Sequence, residues 1–419
     1  MKYSSIIYNN KKVKNPLRSF LCYLRDCIVY YLPIKRLPGF IRKLLYGDIS
    51  YVFFIHPRRS EDYYLGLPFL SIFRKFLPKR TFISLASILP PVIVSNINNR
   101  KANGVVMSSL ILPEVLINNR KNSINAAVKA IKFAKRITKK ICIVGLGAWW
   151  PIISKRGLEL KKHINDDEII ITNGHTGTLL SIYKMLDKIS LISDINMTDL
   201  KICVIGAGKM GTNVTKVLYG KVDTISLIDI HKKNIDLLID TLKTNSKAVQ
   251  TKINSYVINN NVSLLNIFNR HHMAICVTSN LKIIIKANDI PDYFIIIDDS
   301  RPEAVSRCIC DPNKIILEGG LMKIMNSTTN YDYGFGIDDN VFGCLAETYA
   351  LAIDDSDVLS PTLGDVDSAQ FEKAKYYYNV NGINVGDFKT GDKIIDHDKI
   401  SNILKHRDII IKNEGSENA

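Results

Sequence analysis

Apolar and polar positions change their period along the chain, and the changes divide it. Tyr51 to Ile55 is an unbroken apolar run ending at His56-Pro57-Arg58, the pattern of a strand buried on both faces. Val105 to Leu112 is a second such run, closed by Pro113-Glu114. From Asn122 to Arg136 the period lengthens, and Ile124, Ala127, Val128, Ile131 and Ala134 fall on one helical face. Ile141 to Val144 and Ile169 to Thr172 read as short buried strands. Each runs into a turn of small residues, Gly145-Leu-Gly147-Ala148-Trp149-Trp150 and Asn173-Gly174-His175-Thr176-Gly177-Thr178. A strand, a small-residue turn and then a helix is how α/β proteins place ligands at strand C-termini.

A second alternation starts near residue 200. Ile202 to Ile205, Thr224 to Ile228, Met273 to Val277, Phe294 to Ile297 and Ile315 to Leu317 read as strands, with helical stretches between them. The expected fold class is α/β: a Rossmann-like doubly wound parallel sheet domain plus an α/β substrate domain. The expected boundaries are a basic N-terminal extension over 1–48, the substrate domain over 49–195 and the dinucleotide-binding domain over 196–330. A C-terminal segment, 331–419, carries a helix from about Asn340 to Ile353 and is expected to pack back on the substrate domain. Pro33, Pro38 and Gly39 break the extension into short pieces, Phe20 to Tyr31 and Ile41 to Tyr46, that can be amphipathic.

The most legible motif is Gly206-Ala207-Gly208-Lys209-Met210-Gly211, which follows a strand and opens a helix. Gly206 permits the tight turn, Gly208 lets backbone approach a pyrophosphate, and Gly211 lets the helix pack on the strand. The helix start then offers N–H groups and a positive dipole end to the phosphates. Asp229 ends the next strand 18 residues later, where an acid accepts bonds from ribose hydroxyls and favours NAD over NADP. Asp229 also reads as a helix cap, and Lys232 and Lys233 beside it suit a phosphate, so both NAD and NADP stay open as cofactors. Thr278, after the Met273 to Val277 strand, is expected to join the cofactor site. The turn at Gly145 has Trp where a third glycine belongs and is not a second fingerprint. Its indoles either face an apolar ligand or pack in the core.

Charge and cysteine usage narrow the setting. The net charge is +16, and the first fifty residues hold ten Lys/Arg against two acids. Such asymmetry suits a membrane surface, nucleic acid or an acidic protein, with a solubilising arm as the plain alternative. No apolar run is long enough to span a membrane and no signal-peptide pattern stands at the start, so a cytoplasmic place is expected, with peripheral membrane contact through 1–48 as a variant of it. No nucleic-acid-binding motif is evident. Cys142, Cys203 and Cys276 lie in strand-like apolar runs and should be buried and inert. No His, Cys or carboxylate cluster has metal-ligand spacing, so no metal is expected. His271-His272 reads as a solvent loop, and His56 and His175 are both candidate proton donors.

Cys344 lies in Asp338-Asp339-Asn340-Val341-Phe342-Gly343-Cys344-Leu345-Ala346-Glu347. A cap at Asp339 or Asn340 places it in the first turn of a helix, where the thiol pKa falls. From the residues alone it is either a nucleophile or a structural cysteine on a buried face.

Several segments, taken in order over roughly residues 50–400, resemble the long-chain acyl-[acyl-carrier-protein] reductases of cyanobacteria and the bacterial proteins often labelled predicted amino acid dehydrogenases. They are Phe54-Ile-His-Pro-Arg58, Leu89-Pro-Pro-Val-Ile-Val-Ser95, Leu112-Pro-Glu114, Val144-Gly-Leu-Gly-Ala148, Thr172-Asn-Gly174 with Thr178, Val204 to Gly211, Asp298-Asp-Ser-Arg-Pro302, Glu318-Gly-Gly320 and Gly343-Cys-Leu-Ala-Glu347. The resemblance implies reduction of a fatty acyl thioester, carried by acyl carrier protein or coenzyme A, to an aldehyde. It makes Cys344 the acyl-accepting nucleophile and a nicotinamide cofactor the hydride source. His175 and Thr178 join Cys344 as expected catalytic residues, and the Asn173 to Thr178 turn is expected to supply oxyanion donors. The chain departs from the family at Asn173-Gly174-His175, where Thr-Gly-Asn is common, and at Asp229, since the cyanobacterial enzymes use NADPH. Two other readings stay beside this one: an NAD-dependent dehydrogenase of a small amino or hydroxy acid, and a nucleotide-binding protein without catalysis.

Overall fold

In the computed structural model the described residues are 16–245, 251–258, 262–279, 284–306, 309, 311–329 and 339–417. They fall into two compact units. The first comprises the described parts of 1–177, 324–333 and 337–383, and the second those of 178–323 and 384–419.

The first unit is built on a mixed sheet of β1 (Ile49–Ile55), β2 (Val92–Asn98), β3 (Asn103–Ser108), β4 (Cys142–Leu146) and β5 (Ile169–Thr172). Its order is β2-β3-β1-β4-β5, with Thr328–Thr329 antiparallel on β2 at the edge. β1 runs parallel to β3 and β4, and β4 runs parallel to β5. β2 is antiparallel to β3. The central strands are buried almost throughout, as continuous Val/Ile/Phe runs require.

Residues 16–48 belong to this unit's core, which corrects the expectation of a separate extension. They form α1 (Pro16–Tyr31) and α2 (Gly39–Tyr46). Val29 and Leu37 are buried with β1, β3 and β4 side chains in one cluster. Arg136 donates through Nε to the Ile34 carbonyl at 2.9 Å and through Nη1 to the Val29 and Tyr30 carbonyls. Tyr23 donates its hydroxyl to the Pro90 carbonyl at 3.0 Å. The physical reason is legible in retrospect: Val29 and Leu37 lie on either side of Pro33, and the break lets both pieces fold back on the sheet. Three more helices complete what the site needs from the outer layer: α3 (Leu70–Phe76), α4 (Lys79–Ile88) and α5 (Arg120–Ile137).

The helix α6 (His175–Ser193) starts in the first unit, and the division falls inside it, at 177/178 rather than at 195/196. In the second unit β6 (Lys201–Ile205), β7 (Thr224–Asp229), β8 (Lys252–Val257), β9 (Met273–Cys276), β10 (Phe294–Asp298) and β11 (Lys314–Glu318) form one sheet. Every neighbouring pair is parallel, and the order is β11-β10-β9-β6-β7-β8. Counted from β6, that is strand order 3-2-1-4-5-6, the doubly wound dinucleotide-binding arrangement, and its chain reversal lies between β6 and β9. Between β6 and β7 runs α7 (Lys209–Leu218), and α8 (Lys232–Asn245) follows β7.

The C-terminal segment expected as one piece is divided. α9 (Gly343–Ala352) and α10 (Ser368–Val380) lie in the first unit, whereas α11 (His397–Glu417) lies in the second. There the buried Arg407 donates to the carbonyls of His271 at 2.8 Å and Phe268 at 2.7 Å. His271 and His272 are buried, not in a solvent loop. The ring of His271 lies 2.7 Å from both the Ile267 carbonyl and the Ser226 hydroxyl. His272 Nδ1 accepts the Lys201 N–H at 2.9 Å.

If residues 16–48 are core, Leu37→Ala should lower stability by about 2–5 kcal/mol, the cost of emptying a buried leucine site. Urea unfolding read by tryptophan fluorescence measures this, since both Trp149 and Trp150 lie in the first unit. A midpoint unchanged from the parent would return this segment to the status of an appended arm.

Candidate functional site

In the second unit the glycine loop sits where the strand order reverses. Gly206 leaves β6 with φ +100°, a left-handed conformation that favours glycine. Its N–H donates to the Ile228 carbonyl at 2.8 Å, and on its other side a Cβ would stand 3.0 Å from the Val277 carbonyl oxygen. A Cβ on Gly211 would fall on the Gly206 carbonyl oxygen, so α7 lies directly against the loop. Gly208 is different: a Cβ there would meet nothing within 4 Å. Two glycines are therefore demanded by packing and one by open space at a helix start, which is the cradle a pyrophosphate needs. Lys209 and Met210 open α7, and Ala207 lies between the loop's first two glycines. Thr278 follows β9, with its N–H donating to the Ser300 hydroxyl at 3.1 Å.

Asp229 accepts two backbone N–H groups at the end of β7, neither of them inside α8. Oδ2 accepts the Ala207 N–H at 2.7 Å and Oδ1 accepts the His231 N–H at 2.7 Å. The carboxylate thus ties the glycine loop to the end of β7. Each oxygen keeps a second acceptor position, so a ribose diol fits the same group.

In the first unit a buried carboxylate organises the other candidate residues. Glu347, in α9, accepts the Gly177 N–H through Oε2 at 2.8 Å. Through Oε1 it accepts the Thr172 hydroxyl and the Thr362 N–H, the latter at 3.2 Å. One side chain therefore fixes α9 to the end of β5 and to the first turn of α6. The fit is tight: a Cβ on Gly174 would fall on Cα and Cβ of Cys344, and one on Gly177 would fall on the Gly343 carbonyl. Gly174 also has φ +74°. Under α9 on the sheet side, a Cβ on Gly145 would fall on the Thr348 hydroxyl.

Cys344 is half-buried in the first turn of α9, as expected, but the cap differs. Phe342 occupies the N-cap with no side-chain bond, because Asn340–Phe342 is a short strand that delivers the chain straight into the helix. Several donors of the Asn173 to Thr178 turn, expected to serve an oxyanion, are used internally. Asn173 Nδ2 donates to the Arg156 and Gly364 carbonyls, and its Oδ1 accepts the His175 N–H at 2.9 Å. Gly174 N–H goes to the Thr172 hydroxyl and Gly177 N–H to Glu347, and the Thr176 and Thr362 hydroxyls share a hydrogen bond at 2.7 Å. The turn positions Cys344 instead. Thr178 lies further along α6, half-buried.

His175 is half-buried, and its loss of hydration, helped by the Arg156 charge, lowers its pKa from 6.5 to about 4. It is neutral at pH 7, and its Nδ1 has no hydrogen-bond partner. Tyr378 of α10, which sequence reasoning missed, is fully buried, also with an unpartnered hydroxyl. Its pKa is raised by burial and then by the charges of Glu347 and Cys344, so it belongs to this same neighbourhood. His56 is excluded as a proton donor. Its Nε2 accepts the Trp149 N–H at 3.0 Å, its Nδ1 donates to the Pro57 carbonyl at 2.9 Å, and burial lowers its pKa to about 4. Trp150 stacks on Phe54 in the core, with ring centroids 4.7 Å apart, so that indole faces no ligand.

Cys142, Cys203 and Cys276 are fully buried, and burial pushes the Cys142 thiol up to about 12. Cys308 and Cys310 lie outside the described residues. Among the described residues no group of three or more His, Cys, Asp or Glu side chains could hold a metal ion.

Two outcomes are expected. Gly208→Val should keep the thermal unfolding of the parent and lose dinucleotide binding by calorimetry, whereas Gly211→Ala should destabilise the unit itself. Equal behaviour of the two variants contradicts the cradle. Lowering pH tests the His56 and His175 imidazoles. Unfolded His56 and His175 take a proton near 6.5 and folded ones only near 4. Stability is therefore full above about 6.5 and falls as pH drops towards 4, by about 3 kcal/mol for each histidine. His56→Asn should flatten that decline in urea midpoints; an identical decline would place the protonation elsewhere.

No family model matches the sequence, and no curated protein matches it. Among solved structures, the L-tryptophan dehydrogenase of Nostoc punctiforme is similar at 12% identity, covering 88% of this chain and 90% of that one with a TM-score of 0.35. A shikimate dehydrogenase in complex with NADP+ is similar at 13% identity, covering 83% and 99% with a TM-score of 0.35. The nucleotide binding domain of glutamyl-tRNA reductase from Thermoplasma volcanium covers 33% of this chain and 84% of its own at 15% identity and a TM-score of 0.24. Likenesses this low leave the fold to rest on the parallel order β11-β10-β9-β6-β7-β8 itself.

Proposed function

We propose that the chain is an NAD(P)-dependent oxidoreductase that reduces a fatty acyl thioester, bound to acyl carrier protein or coenzyme A, through an acyl-cysteine at Cys344. The observation that carries this reading is the setting of Cys344: a half-buried thiol in a helix's first turn, fixed by Glu347 against a glycine that can take no side chain. A packing cysteine does not need so exact a surround, and a helix start favours the thiolate. The resemblance noted in the sequence supports the same residue.

The chemistry of the chain's own groups is thioester exchange. Cys344 Sγ attacks the acyl carbonyl carbon, a C–S bond to Cys344 forms, and the C–S bond to the carrier breaks. The carrier leaves as thiolate and takes up the proton lost by Cys344. The residues Gly206 to Gly211, with Asp229 and Thr278, would hold a nicotinamide dinucleotide, which supplies hydride when bound. His175 stays neutral near pH 7 and offers Nδ1 to a bound group. Thr178 is assigned with it as a polar contact for substrate. Asp229 favours NAD by meeting ribose hydroxyls, while the exposed Lys232 and Lys233 suit a 2′-phosphate. An acidic carrier protein would be drawn by the +16 chain, and action in the cytoplasm fits such a substrate.

A second reading is a dehydrogenase of a small amino or hydroxy acid. It is favoured by the neutral, unpartnered His175, a suitable acceptor for a hydroxyl or ammonium proton. Tryptophan dehydrogenase and shikimate dehydrogenase are named for such substrates.

Incubation with an acyl thioester in the absence of cofactor should add one acyl mass to the peptide holding Cys344. Reduced cofactor should then release aldehyde, and Cys344→Ser should bind dinucleotide but neither acylate nor turn over. Full turnover of an amino or hydroxy acid by Cys344→Ser would establish the second reading and defeat the first.

A further inference from the structure

We propose that α1 to α4 of the first unit form a docking face for an anionic lipid bilayer. α1 is apolar on the wrong side. Its buried stripe includes Ser19 and Asp26, while Leu21, Leu24 and Ile28 point outward. On the neighbouring helices the exposed residues are larger still: Phe40 is 81% and Leu44 73% exposed on α2, Phe76 80% on α3 and Ile88 75% on α4. Ordinary scattered surface hydrophobes need no account, but four adjoining helices with apolar outer stripes do.

The helices adjoin one another. Phe20 of α1 meets Phe69, just before α3, edge to face at 5.2 Å. Tyr23 of α1, Leu70 of α3 and Phe82 of α4 share one buried cluster. α2 joins α1 through Arg25, which donates to the Leu45 carbonyl at 2.6 Å and lies 4.2 Å over the Tyr46 ring.

Charge identifies the occupant. The stretch 67–89 contains Arg74, Lys75, Lys79 and Arg80 and no acid. In α1 and α2 the only acids before residue 49 are Asp26, buried against Arg25, and Asp48, which pairs with Lys43 at 3.8 Å. Exposed Lys35, Lys75, Lys79 and Arg80 rim the apolar stripes, with Asp166 near Lys35 and Glu61 near Lys79, so cations outnumber acids at this face. Apolar side chains that enter the acyl boundary, with Lys and Arg at headgroup level, are what interfacial helices use. Among the described residues no helix is long and apolar enough to cross a membrane, so the contact is with the surface. This inference stands apart from the reaction at Cys344.

Vesicle sedimentation tests it. The full chain should pellet with vesicles of phosphatidylcholine and phosphatidylglycerol, and about tenfold less with phosphatidylcholine alone. Raising salt from about 0.1 to about 1 M should weaken binding, since screening shortens from ~10 to ~3 Å. Phe40→Ser with Leu44→Ser, and separately Lys75→Glu with Lys79→Glu and Arg80→Glu, should each cut partitioning at least tenfold while leaving thermal unfolding unchanged. No pelleting of the parent chain overturns the proposal, as does undiminished binding by either variant. A dimer in sedimentation velocity that disappears in Phe40→Ser with Leu44→Ser, without any vesicle binding, would give the face to a second copy instead.

Discussion

The candidate site of the first unit depends on the buried carboxylate of Glu347. A carboxylate removed from water must have its oxygens satisfied, and this one has three donors from three separate places in the chain: Thr172, Gly177 and Thr362. Those bonds set the distance between α9 and the start of α6. Once that distance is set, Gly174 and Gly177 can carry no side chain, and Cys344 has one place to be. The same constraint explains why the turn after β5 spends several of its donors internally. It is a bracket for the thiol, with a neutral imidazole and a phenol hydroxyl left unpartnered nearby.

The second unit meets a different constraint. Its loop after β6 must come close to β9 and α7 at Gly206 and Gly211, and must leave space at Gly208. Backbone, not side chains, makes this site, so its specificity comes from a few attached groups. Asp229 bonds to the Ala207 and His231 N–H groups and keeps acceptor capacity. A single residue thus shapes the loop, and in the proposed function the same carboxylate would meet the ribose that distinguishes NAD from NADP.

What the sequence shows is governed by burial. Strands inside both sheets were legible because both faces are apolar, as in β1, β6 and β10. β8 was not legible: Lys252-Ile-Asn-Ser-Tyr-Val257 is an edge strand, mostly exposed, and carries no continuous apolar run. β2 was missed for a related reason, its outer end being polar and its partner antiparallel. The glycine motif was legible because its spacing follows directly from close approach. Cys344 was legible by its helix start and by the family resemblance, and its Glu347 anchor was invisible because the three donors come together only in the folded chain. Tyr378 had no signal beyond an aromatic position in a helix. The N-terminal helices misled because their outer faces are as apolar as inner ones, so sequence pattern alone could not say which side was core.

The central claim is that Glu347 holds Cys344 in a reactive position. The single-turnover rate of acyl transfer from an acyl thioester to Cys344, in the parent chain and in Glu347→Ala, tests it most directly. The account predicts at least a tenfold slower transfer in the variant, with dinucleotide affinity in the second unit unchanged. Equal transfer rates would contradict it.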